Sequence, residues 1–429
     1  MERYLGALEH WFWLYNQFHP MDFATVAKLQ GQFSFEQLST VLRQVQQHHP
    51  LLRVRIATDA ISAERNSEGT GQPKFVETDD EIPLRLVART DDQHWQAELE
   101  VELARSLDWQ VAPLLRVVLL QSGAESELMI ICHHAIADGL SGIYLMRDIL
   151  QGLGGKILER SDLSAAVSLE SALPGIAPSP EAIPKPTDYP PPLSRRPRPL
   201  LRTVVLSPEL TEQLIQRSRA EHTTVHGAIS AAFLLAIAQQ EVKPSDAIRC
   251  SHPVNVRSQL SLPMPDGVGL YVFFCMTTHS LQVDSAFWDV ARSVKSQLLQ
   301  TDIAQQLVEE SQLRQSTMAN LTDAAAFAEE TQSQYPCQLI VTNLGRIDMA
   351  QQYGNIQIEA LHAPAVMSGL VERIIGVATL GDRLALTISS TPLMDVDRAE
   401  SDRAATAFLS SGVKHLELAV KQEVASEAA

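Results

Sequence analysis

Leu128-Met129-Ile130-Ile131-Cys132-His133-His134-Ala135-Ile136-Ala137-Asp138-Gly139 runs from an unbroken apolar segment into a histidine pair and then an Asp-Gly step. A short apolar run of this kind is the pattern of a strand covered on both faces of its sheet. Beyond Gly139, the residues Leu140, Ile143, Tyr144 and Leu150 take up helical spacing. While the chain stays extended, His133 and His134 point to opposite faces, so only one of them can face a given cavity. Adjacent strand residues do not easily converge on one ion, which disfavours a metal site built from both histidines and Asp138, and no metal is expected. The same residues also fit a purely structural reading, two satisfied histidines followed by an aspartate turn in which glycine supplies an unusual backbone angle.

Outward from this stretch, strands and helices mix on both sides. Ser34 and Gln37 form a capping box for a helix whose apolar stripe is Phe35, Leu38, Val41, Leu42 and Val45, and Pro50 ends it. Residues 51–56, 84–88 and 115–120 read as further strands. Later, 203–206 reads as a strand, and Ser207-Pro208 is a cap and first-turn pair that starts a helix. Thr223 or Thr224 caps a second helix through the apolar run 228–238, and strands are expected at 248–252, 271–276, 338–342 and 384–389. This mixture predicts an α/β fold.

The chain has 429 residues, a hydrophobic share of 45% and a charged share of 20%, the balance of an ordinary globular protein. That length favours two domains. Prolines crowd residues 174–199, which excludes helix interior and central strand there. The division predicted is an N-terminal lobe over 1–172, a proline-rich linker over 173–200 and a C-terminal lobe over 201–429. A net charge of -17 would repel phosphate backbones, so no nucleic acid is expected as a partner. The four cysteines, Cys132, Cys250, Cys275 and Cys337, are scattered and read as reduced, buried small hydrophobes. The N-terminal residues lack the pattern of an export signal, and the run 228–238 is too short to cross a bilayer, so a cytoplasmic location, no transmembrane segment and a monomer are expected.

His133-His134-x-x-x-Asp138-Gly139, placed after a strand and before a helix, resembles the signature of the condensation-domain and chloramphenicol-acetyltransferase-like acyltransferase superfamily. His49-Pro50-Leu51-Leu52-Arg53, Leu107-Asp108 with Pro113-Leu114-Leu115-Arg116, and Thr342-Asn343-Leu344-Gly345 are similar to its other landmarks and keep their order. Thr224 to Ala238 and Pro253-Val254-Asn255-Val256-Arg257 look most like the standalone phthiocerol diacyltransferase and alcohol acetyltransferase kind. The plant branch's second signature is missing, since only Thr379-Leu380-Gly381-Asp382-Arg383 stands near its place.

The resemblance implies two chloramphenicol-acetyltransferase-like lobes with mixed sheets around a central tunnel, and an acyltransferase of lipid or secondary-metabolite biosynthesis. The donor would be a thioester, acyl coenzyme A or an acyl carrier protein, the acceptor an alcohol or amine, and no cofactor is needed. His134 would be the general base, a task that suits imidazole because its unperturbed pKa lies near about 6.5. The resemblance further implies that Asp138 pairs with an arginine, taken as Arg257, that Gly139 leaves room for the donor's pantetheine arm, and that His133 anchors the loop. Asn343 is either a donor to the developing oxyanion or a turn residue. The alternative from another class is a catalytically silent condensation-like module that recruits a carrier protein or partner enzyme.

Other features divide between bland and functional readings. His48-His49 reads as a helix terminus. Trp11, Phe12 and Trp13 read as core, with an acyl pocket as the second reading. Arg195, Arg196, Arg198 and Arg202 form a basic run that reads as solvated linker, or as a patch for coenzyme A phosphates or an acidic carrier.

Overall fold

The computed structural model describes residues 2–58, 72–162, 166–176, 196–240, 247–261, 266–282, 284–335, 337–366, 371, 373–392 and 396–422. Its local signals are those of the sequence. Helix Phe35–His48 starts at Ser34, whose Oγ accepts from the Gln37 amide at 3.1 Å while Gln37 Oε1 accepts from the Ser34 amide at 2.7 Å. Leu38, Val41, Leu42 and Val45 are its buried face. The strand expected from residue 51 starts later, at Val54–Ala57, after a 3-10 turn over Pro50–Arg53. Pro50 fixes φ and cannot donate, and the Leu52 amide instead closes a turn on the His49 carbonyl at 3.0 Å.

The first large sheet runs from edge to edge through Gln352–Tyr353, Ile356–Val366, Phe23–Gln30, Glu125–Cys132, Leu115–Ser122 and Leu84–Ala88. Its pairings are antiparallel except the last, which is parallel. In Glu125–Cys132, Leu128, Ile130 and Cys132 join the core under helices Phe35–His48 and Gly139–Leu153. Met129 and Ile131 join the core against Trp95, Leu99 and Leu103 of helix His94–Leu103 on the other face. A strand covered on both sides has no room for polar alternation, which is why its second half, Leu128 to Cys132, is continuously apolar.

The second large sheet runs Val272–His279, Ile248–Asn255, Leu339–Arg346, Arg373–Leu380, Arg383–Ser390 and Leu200–Val205, with Leu339–Arg346 parallel to both neighbours. Helix Val225–Gln240, buried along most of its length, is the core of this lobe, as a helix apolar on all sides must be. No helix among the described residues is long and apolar enough to cross a membrane. A small sheet of Glu2–Tyr4, Lys74–Glu77 and Val54–Ala57 completes the strands.

A division at residue 201 does not separate the two sheets, because Gln352–Tyr353 and Ile356–Val366 return to the first and pair beside Phe23–Gln30. Strand pairing is long-range, and proline content marks where a chain is irregular rather than which sheet a later strand joins. Most of the proline-rich stretch, residues 177–195, lies outside the described residues, Arg195 with it. The sheets meet closely where Gly376 faces the backbone of Pro364, and a Cβ at Gly376 would overlap the Pro364 carbonyl oxygen. Cys132, Cys250 and Cys275 are buried free thiols, and Cys337 is half-buried.

Candidate active site

His134 follows strand Glu125–Cys132 and stands on the wall of a cavity of about 210 Å³ between the lobes. Its ring is wedged between two aromatics, with Phe12 at 4.5 Å and Phe23 at 4.8 Å between ring centroids. Phe12 comes from helix Ala7–Tyr15 and Phe23 begins the strand paired with the histidine's own. Burial among these rings pushes the imidazole down to about 4, against the opposing pull of Asp138 and of backbone groups of His134 and Ala137. At neutral pH the ring is therefore uncharged and able to accept a proton.

His133 is fully buried and turned to other partners. Its Nδ1 accepts from the Ala135 amide at 3.1 Å, and its Nε2 lies 2.7 Å from Asn16 Nδ2. Asn16 in turn donates to Asp22 at 3.2 Å, and Asp22 pairs with Arg196 at 2.8 Å. All four side chains are buried, so the loop carrying His134 rests on a polar network inside the first lobe. The two neighbouring histidines do not converge on one point. Asn16 and Asp22 carry no mark in the sequence and Arg196 stands out only as part of the basic run, because the pairing of Asp22 with Arg196 across 174 residues leaves no local signal.

Asp138 caps helix Gly139–Leu153, its Oδ1 accepting from the Ser141 amide at 2.9 Å. Arg257 grips the same carboxylate with both terminal nitrogens, at 2.8 and 3.1 Å, and the Tyr271 amide donates to it at 3.0 Å. Burial raises the carboxyl's pKa, but Arg257 together with the Tyr271 and Ser141 amides holds Asp138 below the usual carboxylate range. The guanidinium lies 4.8 Å from the Tyr271 ring centroid and 5.6 Å from that of Tyr144. One carboxylate thus fixes the helix start after the His134 loop and ties it to the second lobe.

Gly139 also lines the cavity, and a Cβ there would come 2.9 Å from Leu344 Cδ2 and 3.5 Å from Pro364 Cγ. Asn343 lines the same cavity, and its Oδ1 accepts from the Gly345 amide at 2.8 Å, an Asx turn that leaves Nδ2 as its side-chain donor. Of the N-terminal aromatics, Trp13 is core, Phe12 faces His134, and Trp11 stacks on Tyr15 at 5.3 Å. His49 is bonded to Asp148 at 2.9 Å, joining two helices, and with His48 forms a group of possible metal ligands away from the cavity.

Where it is described, the basic run is paired with acidic side chains, Arg196 buried, Arg202 half-buried and Arg198 exposed. Arg196 is buried against Asp22, Arg198 pairs with Glu100 at 3.0 Å, and Arg202 pairs with Glu100 at 3.5 Å and with Asp402. Acidic partners that neutralise these arginines come from distant segments, which a reading of the local run misses.

The family model of the condensation domain matches residues 13–154, and that of the phthiocerol/phthiodiolone dimycocerosyl transferase C-terminus matches 196–388. Tyrocidine synthase 3 of Brevibacillus parabrevis is 31% identical over 141 residues, 32% of this chain and 2% of the synthase. Chondramide synthase of Chondromyces crocatus is 28% identical over 150 residues, 34% of this chain and 4% of the synthase, so the matched region is a small part of each. Among solved structures, polyketide synthase associated protein 5 from Mycobacterium tuberculosis superposes with a TM-score of 0.70 at 16% identity, covering 98% of both chains. Trichothecene 15-O-acetyltransferase from Fusarium sporotrichioides superposes at 0.67 and 14% identity, covering 98% of this chain and 95% of its own. The first condensation domain of the calcium-dependent antibiotic synthetase, with a substrate analogue, reaches 0.69 at 15% identity over 99% and 98%. One family model thus matches each part of the chain, the condensation domain on the N-terminal side and the dimycocerosyl transferase C-terminus on the C-terminal side, and the whole shares the fold of these condensation and acetyltransferase structures.

Proposed function

We propose that this protein transfers an acyl group from a thioester, acyl coenzyme A or an acyl carrier protein, to an alcohol or amine, with His134 as general base. The observation that carries the reading is the neutral imidazole held between Phe12 and Phe23 on the wall of the interlobe cavity. The base takes the proton from the acceptor's O–H or N–H as its heteroatom attacks the thioester carbonyl. Collapse of the tetrahedral intermediate expels the thiolate, which takes up a proton, so no covalent acyl-enzyme forms. Positioned base catalysis supplies about 10² to 10⁴-fold, and alignment of both substrates in one cavity supplies the rest. Asn343 Nδ2 is the candidate donor to the developing oxyanion. Pairing of Arg196, Arg198 and Arg202 with acidic side chains weakens the case for a basic patch serving coenzyme A phosphates or an acidic carrier alike, so both thioester donors belong in the test.

The test is mass spectrometry of small molecules and intact protein after incubation with a panel of acyl thioesters and candidate alcohols and amines. Acylated acceptor without a stable acyl-protein adduct is the expected result. A stoichiometric acyl adduct on the protein would contradict direct transfer.

A further inference from the structure

Beside the site lies a smaller cavity of about 30 Å³, and Met21, Phe274 and Ile340 line both, forming the wall between them. That volume admits about two water-sized groups. Trp11, Tyr335 and Arg314, the last from helix Ile303–Ala319, form other parts of its lining. Arg314 is 9% exposed, and its Nη2 donates to Glu310 at 2.5 Å. Its Nη1 is buried and makes no hydrogen bond of ordinary geometry among the described residues, although the guanidinium also acts on the neighbouring Tyr335 hydroxyl. A guanidinium can only donate, and leaving a buried donor unmatched is costly. An acceptor entering this branch removes that cost. Because Glu310 already balances the charge of Arg314, a neutral oxygen suits the remaining N–H better than a second carboxylate. The walls of Trp11, Phe274 and Ile340 suit methylene groups.

We propose that this branch recognises an aliphatic substrate arm ending in a neutral oxygen, a hydroxyl or ketone, which accepts a hydrogen bond from Arg314. The inference rests on the acyl-transfer reading only in taking the arm to be either the donor's acyl chain or the acceptor.

The test is calorimetric binding to the His134→Ala protein, so that turnover does not intrude. The probes are straight-chain acyl coenzyme A thioesters and aliphatic alcohols over a range of lengths, each beside its counterpart with a hydroxyl, ketone or carboxylate at the far end. At one length, the hydroxyl or ketone counterpart should bind about tenfold more tightly than the plain chain. The series in which this occurs identifies the arm. The advantage should vanish when Arg314→Met is combined with Glu310→Gln, a pairing that leaves no carboxylate unpartnered. No advantage at any length in either series overturns the proposal, and this comparison needs no change at Arg314. So does an advantage that survives the double substitution, or tightest binding by the carboxylate probe. A parent protein that transfers no acyl group but shows the Arg314-dependent advantage would overturn the acyl-transfer reading and support the pocket.

Discussion

Replacing Asp138 by alanine strips Arg257 of the carboxylate it holds at 2.8 and 3.1 Å. The two side chains are only 6% and 9% exposed, so the orphaned guanidinium cannot turn to water without opening the loop. Breaking such a pair from one side costs about 3 to 5 kcal/mol, and the lost helix cap adds about 1 kcal/mol. Arg257→Met should cost less, about 2 to 3 kcal/mol, because the remaining carboxylate keeps the Ser141 and Tyr271 amides at 2.9 and 3.0 Å. In the double variant neither charge is stranded, so its loss should fall short of the sum by about 2 kcal/mol. Urea unfolding of parent, single and double variants, followed by tryptophan emission and circular dichroism, measures all four corners. Additivity within about 0.5 kcal/mol would refute the claim that these residues stabilise the loop as a unit.

Gly376→Ala places a methyl against the Pro364 carbonyl where the sheets touch, and should destabilise by about 1 to 3 kcal/mol, read as a lowered thermal midpoint; an unchanged midpoint would mean the contact is looser than described. With the His134 imidazole lowered to about 4, kcat/KM should show no inflection from its titration between about pH 6 and 8, and should fall only as the pH approaches that lowered value. An inflection near 6.5 that disappears in a His134 variant would sink this. His133, His226, His279 and His362 are each pushed down to about 4 by burial. Their unfolded forms titrate near about 6.5, so the unfolded chain binds more protons below that pH, and stability present above it should be lost as pH falls toward 4. Urea midpoints at pH 7 and 5 check the sign, and equal midpoints would contradict it.

What was legible in the sequence was local. The capping box at Ser34 and Gln37, the Ser207-Pro208 helix start and the covered strand before His133 each lie within a few residues, and their chemistry does not depend on partners elsewhere. Strands Phe23–Gln30 and Ile356–Val366 were not anticipated, although they pair in the sheet that carries the site. Phe23–Gln30 interrupts its apolar residues with Thr25, Lys28 and Gln30, whereas Ile356-Gln357-Ile358-Glu359 alternates as a half-buried strand does, a local signal that was overlooked. His134 was found through the signature, and the Arg257 partner of Asp138 came from family resemblance across 119 residues rather than from spacing. Phe12 was noticed as part of an aromatic cluster, but its place on the face of His134 depends on how helix Ala7–Tyr15 docks. The buried pairing of Arg196 lay beyond sequence reasoning, because a basic run reveals nothing of the acids that will meet it.

The central claim is that His134 removes the acceptor's proton. The most direct measurement is single-turnover acyl transfer by parent and His134→Ala proteins, with the thioester and acceptor that the panel identifies, alongside their thermal midpoints. The account predicts a loss of at least about a hundredfold in rate with a midpoint close to the parent's. Near-parental transfer by a folded His134→Ala protein would contradict it.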